Sequence, residues 1–151
     1  MAALEDHEVV PGTVVQIDAD ALRATGKAQC NAEVAADGDR AVQGEHSFLI
    51  LLVDKAKDTV VMAPVFSKFA PGSEVLDEKL KSGYPDKWVG AKLHFNRWQH
   101  WGVRREDLVA YSAAEDTPVG ARRMYAQNAP QELNRMLAFI KQNRAPWRTL
   151  K

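Results

Sequence analysis

Cysteine is nearly missing from this chain. Cys30 is the only one, which excludes an internal disulfide framework and a Cys-based structural zinc site. A reduced, intracellular setting is the simplest fit. Long apolar runs are missing too. The longest, Phe48 to Val53, falls far short of the ~20 residues that span a bilayer. Met1 to Val10 is acidic and has neither the basic start nor the long apolar stretch of a signal peptide. The expectation is a soluble, cytoplasmic protein with no membrane partner. Net charge is absent as well, since 20 Lys and Arg balance 20 Asp and Glu. That balance argues against a strongly electropositive nucleic-acid binder. No P-loop, GxSxG, HExxH or Rossmann glycine pattern occurs, so no cofactor is expected.

What is present is an ordinary single-domain composition: 151 residues, 46% apolar and 26% charged. The charges are unevenly placed. Residues 1–46 hold 3 basic and 9 acidic side chains, 47–120 hold 10 and 10, and 121–151 hold 7 and 1. A basic tail of this kind suits either a nucleic-acid-facing end or pairing with the acidic head.

Residues 1–10 read as a flexible head and 11–151 as one domain. Val9 to Ile17 predicts a first strand, with Pro11-Gly12 opening it. Asp18 to Gly26 predicts a short helical turn or loop, and Gln29 to Ala35 a weak second strand. Asp37-Gly38-Asp39 signals a turn, and Gly38 to His46 a mobile loop. Ser47 to Asp54 predicts a strand buried on both faces. A polar turn then leads into Val60 to Val65, making a hairpin with Pro64 near its end. Ser73 to Leu80 predicts a short helix capped by Ser73, Ala91 to Trp98 a strand, Leu108 to Tyr111 a short strand, and Val119 to Gln127 a helix. The strongest helical pattern is Pro130 to Asn143. There Leu133, Met136, Leu137 and Ile140 share one face, Asn128 lies at the cap and Pro146 stops the helix. Strands first and one strong helix last describe a mostly β protein, a small barrel or rolled sheet with appended helices.

The ordered segments resemble the MazF/PemK (Kid/CcdB-like) toxin superfamily. Pro11-Gly12-Thr13-Val14-Val15 resembles its opening strand. Gly44 to Leu51 sits where the family has a polar loop leading into Arg-Pro-Ala-Leu-Val. Val60-Val61-Met62-Ala63-Pro64-Val65-Phe66-Ser67 resembles its Val-Val-Ala-Pro-Ile-Thr-Ser strand. Arg97-Trp98-Gln99 to Arg105-Glu106-Asp107-Leu108-Val109 lies where it has a strand, a turn and an Arg-Leu pair. The resemblance implies an SH3-like barrel with a C-terminal amphipathic helix. It also implies a homodimer, an antitoxin-like protein partner, and metal-independent endoribonuclease activity on single-stranded RNA. In the family a loop Arg and a hydroxyl residue do the chemistry. Here the hydroxyl position is matched by Ser67, His46-Ser47 replaces the Arg-Pro, and the nearest upstream arginine is Arg40. The polar segment Ala24 to Ala36 is longer than a compact toxin requires.

Metal-free RNA cleavage needs a base for the 2′-OH, a proton for the leaving 5′-oxygen and charge stabilisation at phosphorus. Arg40, His46 and Ser67 form a workable catalytic set, because a loop before one core strand and the end of the next can lie at one barrel rim. The plainer reading leaves His46 in an exposed loop and Ser67 in a turn. A second cluster is Arg97, Trp98, His100, Trp101, Arg104 and Arg105. Aromatics with arginines suit stacking and phosphate contact on RNA or a protein interface. Packing is the plainer reading, with Trp98 in the core and Trp101 over a barrel end. His94 and His100 fall on one face only if a single strand carries both. No carboxylate stands at ligand spacing, so no metal site is expected. The alternative to a nuclease is a non-catalytic barrel module that binds a protein or nucleic acid through Trp98–Arg105.

Overall fold

The computed structural model describes residues 4–83, 88–112, 122–143 and 146–150. In chain order the regular elements are β1 (Val14–Asp18), α1 (Ala19–Ala24), β2 (Gln29–Cys30), β3 (Val34–Ala35) and β4 (Gly38–Asp39). Then come β5 (Glu45–Asp54), β6 (Thr59–Pro64), β7 (Ser73–Val75), β8 (Lys81–Ser82), β9 (His94–Asn96) and β10 (Trp101–Arg104). The series closes with α2 (Arg105–Tyr111), β11 (Met124–Tyr125), α3 (Pro130–Ile140) and β12 (Arg148–Thr149). The protein is mostly β. Its centre is a six-stranded antiparallel sheet in the order β1-β5-β6-β10-β2-β12, with the pairs β3–β4, β7–β9 and β8–β11 beside it.

The expected core hairpin, β5 with β6, organises the sheet. Phe48, Leu49, Ile50 and Leu51 are all buried, because both faces of β5 are covered. Phe48 and Ile50 join a core with Leu22 of α1 and Leu108 of α2. Leu49 and Leu51 join another with Leu133, Met136 and Ile140 of α3. The pairing shifts register between Ile50 and Leu52. One extra residue reverses the side-chain alternation, so Val53 returns to the face of Phe48 and Ile50. The hairpin turn is closed by Asp54, whose carboxylate accepts from the amides of Ala56 and Lys57 at 3.1 Å. Asp58 takes the left-handed backbone at φ 54°, a conformation Asp tolerates better than most residues.

Several sequence expectations are corrected. Ser73–Val75 is strand, not helix. It pairs with His94–Asn96, and the Ser73 hydroxyl donates to the Ala70 carbonyl at 2.6 Å instead of capping a helix. Val75 is exposed while Leu76 is buried, so these residues make no common helical stripe. Only Glu78–Leu80 forms a helical turn, begun by Asp77 accepting from the Lys79 amide. Leu108–Tyr111 belongs to helix α2, not a strand. Glu106 and Asp107 occupy its first turn, where the helix dipole favours acids, and Leu108 drives its buried face. Met124–Tyr125 is strand and pairs with Lys81–Ser82, so the helix expected over 119–127 is absent from its described part. Residues 119–121 lie outside the described residues.

Within the head, residues 4–10 make contacts with the domain. Leu4 and Val9 are buried, the Leu4 amide donates to Ser112 Oγ at 3.1 Å, and Arg105 grips Asp6 at 2.9 Å. Residues 38–46 are not one loop, since β4 begins them and β5 ends them. The helical pattern over 130–143 is realised as α3, but Ala129 rather than Asn128 holds the cap position, with no side-chain cap. After Pro146 the chain adds β12 against β2, a strand too short for sequence periodicity to reveal. Among the described residues no helix is long and apolar enough to cross a membrane.

Candidate active site

His46 lies within β5 and not in a loop before it, and the start of β5 meets the continuation of β6. His46 and Ser47 pair with Ile17 and Gln16 of β1. On the other side Phe48 pairs with Pro64, and the Val65 amide donates to the Ser47 carbonyl at 2.9 Å. Extending that register by two residues sets Phe66 against His46, and their rings meet edge to face at 5.1 Å. Phe66 then exchanges two 2.8 Å backbone hydrogen bonds with His94, and Ser67 emerges exposed beyond it. His46 and Ser67 consequently line one cavity of about 250 Å³, together with Gln16, Glu45, Ser47 and Arg123. Val14, Val65, Trp88 and Leu93 supply its apolar walls.

Burial holds the His46 imidazole below its ordinary pKa, with a backbone hydrogen bond at Val65 working in the other direction. The imidazole is therefore neutral at pH 7, the form that accepts a proton. Its other ring contact is Phe48 at 5.8 Å, and Nε2 is buried without a hydrogen-bond partner. Glu45 accepts from Gln16 Nε2 at 3.2 Å, so the cavity holds one carboxylate as well as one guanidinium.

Arg40 is not brought to this cavity. Its amide donates to the Glu33 carbonyl at 2.8 Å, which fixes it to the β3–β4 hairpin, and its guanidinium lies 3.4 Å from Asp37. The cation beside His46 is Arg123, which sequence reasoning assigned only to the basic tail. Its backbone carbonyl accepts from the Val14 amide at 2.9 Å, so β1 carries it to the rim. Only this long-range bond, next to the isolated bridge of Thr13 with Met124, reveals the placement.

The cluster from Arg97 to Arg105 does not form one surface. Trp101 is fully buried, and His100 is nearly so. Trp101 packs edge to face on Phe48 at 5.5 Å and donates Nε1 to Gln99 Oε1 at 3.0 Å. The expected placement of the two tryptophans is thus reversed, because β10 takes Trp101 into the sheet while Trp98 stays outside it. Trp98 is 48% exposed. Its indole donates to the Pro71 carbonyl at 3.0 Å and carries the Arg97 guanidinium on its ring at 4.7 Å. Arg104 is exposed, and Arg105 is committed to Asp6. β9 ends at Asn96, so His94 and His100 share no strand.

A neutral imidazole, a hydroxyl and a guanidinium line this one small cavity, and these are the residue types that proton transfer, anion binding and charge offset call for. Compared with family models, curated proteins and solved structures, the chain matches none.

Proposed function

We propose that the chain is a toxin-like endoribonuclease that cleaves single-stranded RNA without a metal, at the cavity of His46, Ser67 and Arg123. The observation that carries this reading is that His46 of β5 and Ser67, just beyond the end of β6, line one cavity with a guanidinium on its wall. His46 takes the proton from a ribose 2′-OH, and the 2′-oxygen attacks the adjacent phosphorus. The P–O5′ bond breaks, leaving a 2′,3′-cyclic phosphate, and the departing 5′-oxygen takes a proton from solvent at the exposed Ser67 side. Arg123 offsets the charge gathering on the phosphoryl oxygens and Ser67 donates a hydrogen bond to one of them. Arg123 takes the part that the family resemblance gives to a loop arginine.

The test is digestion of a long single-stranded RNA by purified protein in EDTA, beside the variants Ser67→Ala, His46→Asn and Arg123→Met. Discrete fragments that vanish in the folded variants support the reading. Absence of cleavage at micromolar protein overturns it. A second reading, a non-catalytic module, is favoured by the exposed Trp98 with Arg97 on its ring. It predicts RNA or protein binding that survives Ser67→Ala and is lost in Trp98→Ala.

A further inference from the structure

A larger cavity, about 700 Å³, is walled by Ala32, Val34, Trp98 and Pro146 and carries Asn31 and Arg148 among its polar groups. No described residue lines both this cavity and the one at His46. Its size is that of a small-molecule site. It is built by the polar segment that the toxin resemblance leaves without a purpose: β2 runs out at Cys30, and the chain through Asn31–Val34 forms one wall.

Two residues on the cavity wall carry buried donors with nothing to donate to. Asn31 is 1% exposed. Its Oδ1 accepts from the His100 amide at 2.8 Å, which fixes the amide orientation and leaves Nδ2 as a donor without a partner. Arg148 gives Nη1 to the Ala32 carbonyl, and its Nη2 is likewise buried without a partner. Buried donors are ordinarily satisfied, so two on one cavity indicate a missing acceptor. Gln99, also on the wall, already accepts from the Val42 amide and the Trp101 indole and donates to the Arg40 carbonyl.

The charges select the acceptor. Arg40 is already beside Asp37, and the Glu33 side chain is exposed, where solvent screens it. Arg148 remains as the cation inside. One cation and two unsatisfied donors match a monoanion with two oxygens, and the apolar walls match an apolar body attached to it. The indole that forms one wall is held in place. It bonds Pro71, and a Cβ on Gly72 would lie 2.9 Å from it, so only glycine admits the ring so close.

We infer that this cavity binds a small organic acid, a carboxylate on an aromatic or aliphatic body, with Asn31 Nδ2 and Arg148 Nη2 donating to the carboxylate and Trp98 packing against the body. The site is independent of the nuclease reading, and its test uses no RNA. 2-Naphthoate is titrated into the full chain by calorimetry, beside its methyl ester, acetate and inorganic phosphate. Saturable binding of 2-naphthoate with Kd of about 1 mM or tighter is expected from its size, with the three controls at least tenfold weaker. Asn31→Asp keeps the acceptor for the His100 amide and replaces the donor by a like charge, so it abolishes binding. Arg148→Met, away from the core hairpin, weakens it at least tenfold and stands in should Asn31→Asp fail to fold. No saturation by 10 mM, equal affinity for the ester, acetate or phosphate, or unchanged binding in a folded variant overturns the assignment.

Discussion

Removing one charge from the buried pair Glu8–Arg122 gives a quantitative test of how the head is held. Glu8 Oε2 lies 2.7 Å from Arg122 Nε, with the two side chains 8% and 6% exposed. The other Glu8 oxygen accepts from the Glu5 amide at 2.8 Å. Glu8→Gln keeps the shape and that second hydrogen bond but leaves a buried guanidinium without its counter-charge. Breaking a buried pair in this way costs about 3–5 kcal/mol. Arg122 has further contacts, which places the expected loss near the lower end, about 3 kcal/mol. At roughly 2–4 °C per kcal/mol for a chain of this size, Tm falls by about 6–12 °C at pH 7. The pH dependence has a definite sign. Burial alone raises the Glu8 carboxyl, but hydrogen bonds from Arg122 and the Glu5 amide and the Arg122 charge bring it below its ordinary 4.5. A depressed carboxyl contributes its stabilisation fully above pH 4.5 and loses it as pH falls through the lowered value. Thermal melts followed by circular dichroism from pH 3 to 7, at low and high salt, read all of this. The Gln variant should lose less stability on acidification than the parent chain. A Tm drop under about 2 °C, or one that disappears in 1 M salt, would show a solvent-screened pair worth only about 0–1 kcal/mol and refute a docked head.

Three other substitutions and one titration test separate parts of the structure. Trp101→Ala empties a fully buried site and should cost about 3–5 kcal/mol, whereas Trp98→Ala at a half-exposed position costs less than half as much in the same melts. Gly12→Ala forces a side chain onto φ 99° with its Cβ 2.7 Å from the Tyr125 carbonyl, and denaturant unfolding should show a loss above about 1 kcal/mol. His100 is pushed down from 6.5 to about 4, by burial first and the nearby Lys141 charge second. Its neutral form therefore stabilises the fold fully above pH 6.5 and progressively less as pH falls toward 4. Its ring protons should titrate near 4 by NMR, and a midpoint near 6.5 would refute the buried placement.

Sequence reasoning read best where one face repeats over several turns or where a run is buried on both sides. β5, β6 and α3 each carry such a signal, and each forms as expected. Residues 73–75 and 108–111 failed for a shared reason. Three or four residues cannot distinguish a period of 2 from one of 3.6, and their state is decided by what lies across from them. For Ser73–Val75 that partner is β9. For Leu108 it is the core beneath the sheet, reached by a helix whose first turn holds two acids. The reversed tryptophans have the same origin. Trp98 and Trp101 are equally apolar in sequence, but only Trp101 sits in a strand paired on both sides, with Met62 and with Cys30.

The candidate site divides along the same line. His46 and Ser67 could be joined from sequence because they belong to one hairpin, and hairpin register is arithmetic: Phe48 opposite Pro64 places position 46 opposite 66. The extra residue between Ile50 and Leu52 lies nearer the turn, so it leaves the pairing at the open end untouched. Arg40 is nearer in sequence to His46 than any other arginine, yet the short β3–β4 hairpin turns it toward Asp37. Arg123, 56 positions beyond Ser67, arrives through a bond to Val14 that no local pattern announces. A site built from one hairpin plus one distant cation is thus half readable, and the distant half carries the charge. The consequence for the proposed chemistry is a specific order of effects. Arg123→Met should depress cleavage strongly, because it removes the cation proposed at phosphorus, whereas Arg40→Ala should leave cleavage intact, because that side chain is paired with Asp37 and does not line the His46 cavity.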